Sequence, residues 1–163
     1  MKAETQTYLS ASQLVKKTDV RIALRGRLDT LQAEVLLLQA ELDGQGTLSE
    51  ELEDVVSLLH DLILFQCERK VLENTRIFGA SLEELRMLSH QCYRNTQFAA
   101  PQYKMGIPAA RLNLLRAQVR EVELLAAEVY AQYPTKEFEA VQYALNRLSS
   151  GIYYKFCSLL KSE

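Results

Sequence analysis

Leu24, Leu28, Leu31, Val35, Leu38 and Leu42 follow one another at alternating steps of four and three residues. A strand cannot use this spacing, because its side chains change face at every residue and these six would be scattered over both sides. On an α-helix they form one apolar stripe. The spacing predicts a first helix from about 19 to 43, hydrophobic on a single face, which has to be covered by other elements. "DGQGTLSEE" interrupts the pattern: Gly44 and Gly46 supply a turn, and Thr47 or Ser49 is placed to cap a following helix that has glutamates in its first turn.

The same reasoning extends along the chain. Leu52, Val55, Leu58, Leu59, Leu62 and Ile63 carry a second helix to about 70. Ser81 and Glu84 form the capping-box pattern at the head of a short third helix. Residues 91–109 are the least regular and read as a loop, longer than a bundle needs and therefore a candidate functional loop. Pro108 suits the first turn of a fourth helix to about 132, and Thr135 caps a fifth to about 160. No strand pattern or repeat is evident. Residues 1–163 are therefore expected to form a single all-α domain, a five-helix bundle.

Composition narrows the classes of function. A net charge of −2 argues against nucleic acid or an anionic membrane surface as a partner held by general charge, leaving a local anion site open. The apolar runs are far too short to cross a bilayer, and the first residues do not resemble a secretory signal. Cys67, Cys92 and Cys157 are odd in number and widely spaced, which suggests reduced thiols in the cytoplasm. There is no GxxxxGK[ST], GxGxxG or HExxH motif. Ser57 and Met87 precede His60 and His90 by three residues, so the Glu-x-x-His pairs of di-iron bundles are missing too. His60, among leucines, reads as an ordinary helix residue. His90 stands at the mouth of the expected loop.

Three polar stretches remain. In "RGRLDTLQA", Asp29 lies beside the core-facing Leu28, and the plain alternative is a surface pair with Arg25. In "LRAQVREVE", Arg116, Arg120 and Glu123 stack beside the apolar stripe, although two arginines at i,i+4 repel by roughly 0.2–0.5 kcal/mol. In "ALNRLSSGIYY", Asn146, Ser149 and Tyr153 share a face. Each taken alone reads as a solvated or interhelical polar contact. Together they offer guanidinium groups, a carboxylate and an amide, a set suited to holding a polyphosphate.

At these three stretches the sequence resembles the ATP:cob(I)alamin adenosyltransferases, the helical-bundle family of the propanediol- and ethanolamine-utilisation type. "KKTDVRIALRGRLDTLQA" looks like the family's K-x-D-x-R-V stretch leading to G-x-x-D-E-L, "LRAQVREVE" like its R-x-x-x-R-x-x-E helix, and "ALNRLSS" like its L-N-R-L-S-D. The blocks come in the family's order across residues 14–156. The ethanolamine branch is the closer fit, through "YLSASQLVKKTDVR", "LEELRMLSHQ" and "LNLLRAQVREVELLAAEVY".

The resemblance implies a homotrimer with sites between subunits, in the bacterial cytoplasm or associated with a microcompartment. It implies transfer of the 5′-deoxyadenosyl group of ATP to the cobalt of cob(I)alamin, with release of triphosphate. Carried over by residue, Lys17, Arg116, Arg120, Glu123 and Asn146 bind ATP, Arg120 acting catalytically on the departing triphosphate and Glu123 meeting Mg2+ through the nucleotide. Asp29 and Arg116 form an intersubunit ion pair. Phe98, Tyr103 and His90 are candidates to face the corrinoid. A reductase or an adenosylcobalamin-dependent enzyme is the implied further partner.

The chain also departs from the family. "AETQTYLSASQLVK" replaces the glycine-containing T-x-T-G-D-x-G-x-T segment that wraps the triphosphate in propanediol-type members, leaving Thr7, Ser10 and Ser12 to offer hydroxyls. Ser150 stands where the family has Asp. The Cys-rich N-terminal metal motif of the ethanolamine branch is missing, so the short form is expected to work without that metal or with reduced activity. These departures motivate an alternative, a non-catalytic corrinoid-binding or scaffolding relative. A third reading is an unrelated helical adaptor whose polar strips join subunits.

Overall fold

The computed structural model describes residues 3–68, 72, 75–95 and 101–160. A short antiparallel hairpin opens the chain, with β1 (Gln6–Ser10) paired to β2 (Gln13–Lys16). Helix α1 (Val20–Leu42) follows, then a single turn α2 (Leu48–Glu51) leading into α3 (Glu53–Glu68). A two-residue-per-strand hairpin, β3 (Arg76–Ile77) and β4 (Ala80–Ser81), precedes α4 (Leu82–Asn95). After a 3-10 turn at Tyr103–Met105 come α5 (Gly106–Gln132) and α6 (Lys136–Leu160).

The four long helices form a ring in which α1 touches α3 and α5, and α6 touches α5 and α3, while α4 packs on α6. The buried residues of α1 are Leu24, Leu28, Leu31, Val35, Leu38 and Leu42, the six that the spacing selects. Those of α5 include Leu112, Leu115, Val119, Val122 and Ala126. In α3 the stripe ends on Phe65 rather than Ile63, which is only partly buried. Each fully buried aliphatic side chain contributes about 1.5–3 kcal/mol of transfer free energy, so these stripes hold the ring together.

Helix termini follow local chemistry. Asp19 caps α1 by accepting from the Arg21 amide at 2.9 Å, and its carboxylate also takes the Arg21 guanidinium at 2.9 and 2.7 Å. Those bonds hold the Asp19 carboxyl below its usual value, while the Arg21 guanidinium lies over the Tyr133 ring at 4.0 Å and ties the start of α1 to the end of α5. At the head of α4 the Ser81 amide donates to Glu84 at 2.8 Å, and the Glu84 amide to the Ser81 hydroxyl at 3.3 Å, completing the capping box. Thr135 accepts from the Phe138 amide at 3.4 Å, as its place before α6 suggests. Pro108 falls in the first turn of α5.

Four local expectations fail. Strands do form. Each hairpin is a two-strand pairing too short for alternation to be read from sequence, and the second turns on Phe78 and Gly79, both at positive φ (51° and 78°), the geometry of a type I′ turn. Thr47 makes no side-chain cap and Ser49 donates instead to the Gln39 carbonyl at 3.0 Å, because α1 passes close enough to compete. The loop expected over 91–109 is claimed from both sides, by α4 up to Asn95 and by α5 from Gly106. Arg25 does not pair with Asp29: it donates to the carbonyls of Tyr8 at 3.0 Å and Leu9 at 3.3 Å, fastening the N-terminal hairpin to α1.

Candidate functional site

Helices α5 and α6 are joined by only the few residues between Gln132 and Lys136, so they run antiparallel and side by side, and they share the most extensive contact in the molecule. This packing brings two of the three polar stretches together. The Asn146 side-chain amide donates to Glu123 Oε1 at 2.8 Å, across the seam between the helices. One to two turns away on each helix, Arg116, Arg120, Ser149, Ser150 and Tyr153 line an open cleft of about 420 Å³, together with Asn113, Ser89 of α4 and Pro101.

The cleft is electropositive by construction. Arg116 is half-buried and its guanidinium donates to Asn113 Oδ1 at 3.2 and 3.4 Å, which holds it against α5. Arg120 is exposed and, among the described residues, makes no hydrogen bond or ion pair. It is therefore a cation whose charge is not answered within the chain. The Ser149 and Ser150 hydroxyls donate to the Asn146 carbonyl at 2.9 and 3.2 Å, leaving their lone pairs as acceptors. Tyr153 is the aromatic ring that lines the cleft. Burial first, and a hydrogen bond with Cys157 second, push its phenol up to about 12, so it is neutral at physiological pH. Cys157 and Cys92 are buried thiols.

Beneath the seam lies a group that sequence reasoning passed over. Arg147 is the buried charged residue of the described core, at 7% exposure, with Nη1 donating to Asn146 Oδ1 at 2.6 Å. Its guanidinium lies 4.5 Å from the Tyr143 ring centroid, and the Tyr143 hydroxyl donates to Glu83 at 2.8 Å. The signal was present as a tyrosine four residues before an arginine that is flanked by buried leucines. Charged residues inside L-N-R-L-S are, however, usually read as solvated.

The remaining sequence candidates are not gathered in the cleft. Lys17 is exposed just after β2, its backbone amide donating to the Thr5 carbonyl at 2.8 Å. Asp29 is exposed on α1 and makes no contact with Arg116 of its own chain. His90 is exposed on α4, next to the cleft residue Ser89. Tyr103 is 86% exposed, two residues beyond Pro101. Phe98 lies outside the described residues. His60 is exposed. For a divalent cation, Glu123 offers one carboxylate, and among the described residues no cluster of three or more histidine, cysteine or acidic side chains surrounds it. This donor set suits a cation that arrives already held by phosphates. Among the described residues no helix is long and apolar enough to cross a membrane.

Comparison with known proteins gives this arrangement a context. The family model described as cobalamin adenosyltransferase matches residues 2–158. A corrinoid adenosyltransferase EutT of Escherichia coli strain K12 is 38% identical over 158 residues, covering 93% of this chain and 57% of the relative. The protein of the same name from Salmonella typhimurium is 37% identical over the same lengths. The chain thus spans 57% of the length of the curated relatives it matches.

Proposed function

The chain belongs to the cobalamin adenosyltransferase family, and on that premise we propose that it moves the 5′-deoxyadenosyl group of ATP to the cobalt of cob(I)alamin. Cobalt supplies the electron pair for the new cobalt–carbon bond, the C5′–O bond of ATP breaks, and triphosphate leaves with the pair from that bond. No protein nucleophile is required. The chain's share is to hold the two reactants in line and to answer the charge that gathers on the leaving triphosphate.

The observation that carries this reading is the α5–α6 seam, where the unanswered guanidinium of Arg120 stands one turn from the Glu123–Asn146 pair. Arg120 is the catalytic residue, meeting the departing triphosphate. Arg116 adds positive charge. Glu123 and Asn146 bind the nucleotide, Glu123 also facing the Mg2+ carried on its phosphates. Lys17, at the foot of the hairpin, contacts phosphate as a point charge, and Thr7, Ser10 and Ser12 offer hydroxyls nearby in sequence. His90, Tyr103 and Phe98 remain the candidates for the face of the corrin.

A homotrimer completes the site. Asp29 projects from α1 without a partner among the described residues and takes Arg116 of a neighbouring copy. Exposed Leu36 and Leu37 on α1 and Leu114 on α5 give the assembly apolar area to bury. That the relatives come from bacteria supports a bacterial cytoplasmic setting, in the service of an adenosylcobalamin-dependent enzyme, with a reductase to supply cob(I)alamin.

An anaerobic absorbance assay tests the proposal. Cob(I)alamin with ATP and a divalent cation is expected to give adenosylcobalamin and one equivalent of triphosphate. Cobalamin bound with no ATP consumed would instead identify a corrinoid-binding relative, the reading that the glycine-free N-terminal segment favours.

A further inference from the structure

Arg147 is expensive where it sits. Burying a guanidinium is costly unless a carboxylate and a full set of acceptors meet it. Among the described residues no carboxylate pairs with it, its Nε has no partner, and its attractive contacts are the Tyr143 ring and the single bond to Asn146. An apolar side chain of the same volume would fill the space without that cost. What an arginine does that an apolar residue cannot is present donors and nothing else.

That property matters because of its neighbour. The two ends of the Asn146 amide have nearly the same shape, and only hydrogen bonding tells them apart. The end that faces a donor-only guanidinium has to be Oδ1, which turns Nδ2 toward Glu123, where it donates at 2.8 Å. The flipped amide would set a donor against Nη1 and an oxygen against the carboxylate, losing both bonds together. Tyr143, held by Glu83, in turn fixes the plane of the guanidinium. Glu123 is therefore held by a neutral amide rather than by an ion pair, while the cation that orients the amide stays one residue along.

We propose that Arg147 is a positioning residue that locks the Asn146 amide toward Glu123 and so presets the carboxylate that receives the nucleotide. The part concerning the nucleotide rests on the function proposed above; the part concerning the amide does not.

The test uses the full chain, 15N-labelled at its four asparagines. The Asn146 side-chain signal is identified by its loss in Asn146→Ala. Arg147→Met, which keeps the bulk and removes the donors, is expected to speed exchange of that amide with water by at least about tenfold. It is also expected to raise KM for ATP by about tenfold, the loss of one charge-assisted bond, with kcat within about twofold. Arg147→Lys, which restores a donor, recovers most of both. In the Asn146→Ala background, Arg147→Met adds nothing further to KM.

Unchanged exchange of the Asn146 amide in a folded Arg147→Met protein overturns the proposal, as does a KM effect that persists at full size without Asn146. Should Arg147→Met not fold, Arg147→Gln carries the same comparison, since its amide offers either end and dictates neither. If the wild-type chain does not use ATP, the proposed function fails, and the amide exchange still decides the role of Arg147.

Discussion

The α5–α6 seam and the N-terminal hairpin with the start of α1 both carry residues of the proposed nucleotide site, but they are finished to different degrees. At the seam the polar groups are already organised: Asn146 holds Glu123, Arg147 holds Asn146, and Arg116 is held by Asn113. At the hairpin the bonds go into fastening the backbone, through Arg25 to the Tyr8 and Leu9 carbonyls, while Lys17 and Asp29 are exposed without side-chain partners among the described residues. The difference separates what one chain can preorganise from what waits for a ligand or a neighbouring copy. A group held before binding loses little entropy on binding, and a solvated lysine loses more.

The sharpest way to break this comparison is to remove one cation from each region. Arg120→Ala is expected to lower adenosylation by about 100-fold or more, the size of losing the charge that meets the departing anion. Lys17→Ala is expected to lower it by about tenfold, as befits a flexible, hydrated point charge. Both are read in the anaerobic absorbance assay. Equal losses would place as much of the work at the hairpin as at the seam.

A smaller effect tests the anchoring. Arg25→Ala removes two bonds to backbone carbonyls and is expected to cost about 1–3 kcal/mol, felt locally. Hydrogen exchange should show the β1–β2 amides losing protection while α5 and α6 keep theirs. Loss of protection in α5 as well would mean that the hairpin and the seam form one cooperative unit.

The finest distinction concerns the floor of the cleft. The Tyr153 phenol is raised above the ordinary tyrosine value of 10.0 to about 12, so the fold favours its neutral form. Its contribution to stability is complete below pH 10 and is lost as pH rises through about 12. An ultraviolet titration of tyrosinate should show a late phase near pH 12 that Tyr153→Phe removes. If the late phase survives in that variant, another tyrosine carries it and the Tyr153 phenol is not the raised group.

How much of this was legible beforehand varies with the range of the interaction. The α1 stripe, the Ser81–Glu84 box and the Thr135 cap are interactions between residues one to four positions apart, and all three appear as the sequence indicates. Asn146 and Glu123 could be singled out by type and family pattern, but their contact spans 23 residues of chain and depends on the register of two packed helices. Ser49 departs from its expected cap for the same reason: its hydroxyl has a local amide to cap and a distant carbonyl to bond, and packing favours the carbonyl. The hairpins leave no trace in the sequence pattern because strands of two to five residues are too short to show alternation.

Which residues face the core of each long helix is written in the chain, because a period of 3.6 is a property of the backbone and needs no partner. The chain also carries the lysine, arginine, glutamate and asparagine of the family pattern. It takes the packing of the helices to bring Arg120, Ser149 and Tyr153 into one cleft, to join Asn146 to Glu123, and to bury Arg147 behind them. Those outcomes depend on how side chains of different helices interdigitate, and a single helix, read alone, holds no record of which turn of its neighbour it will meet.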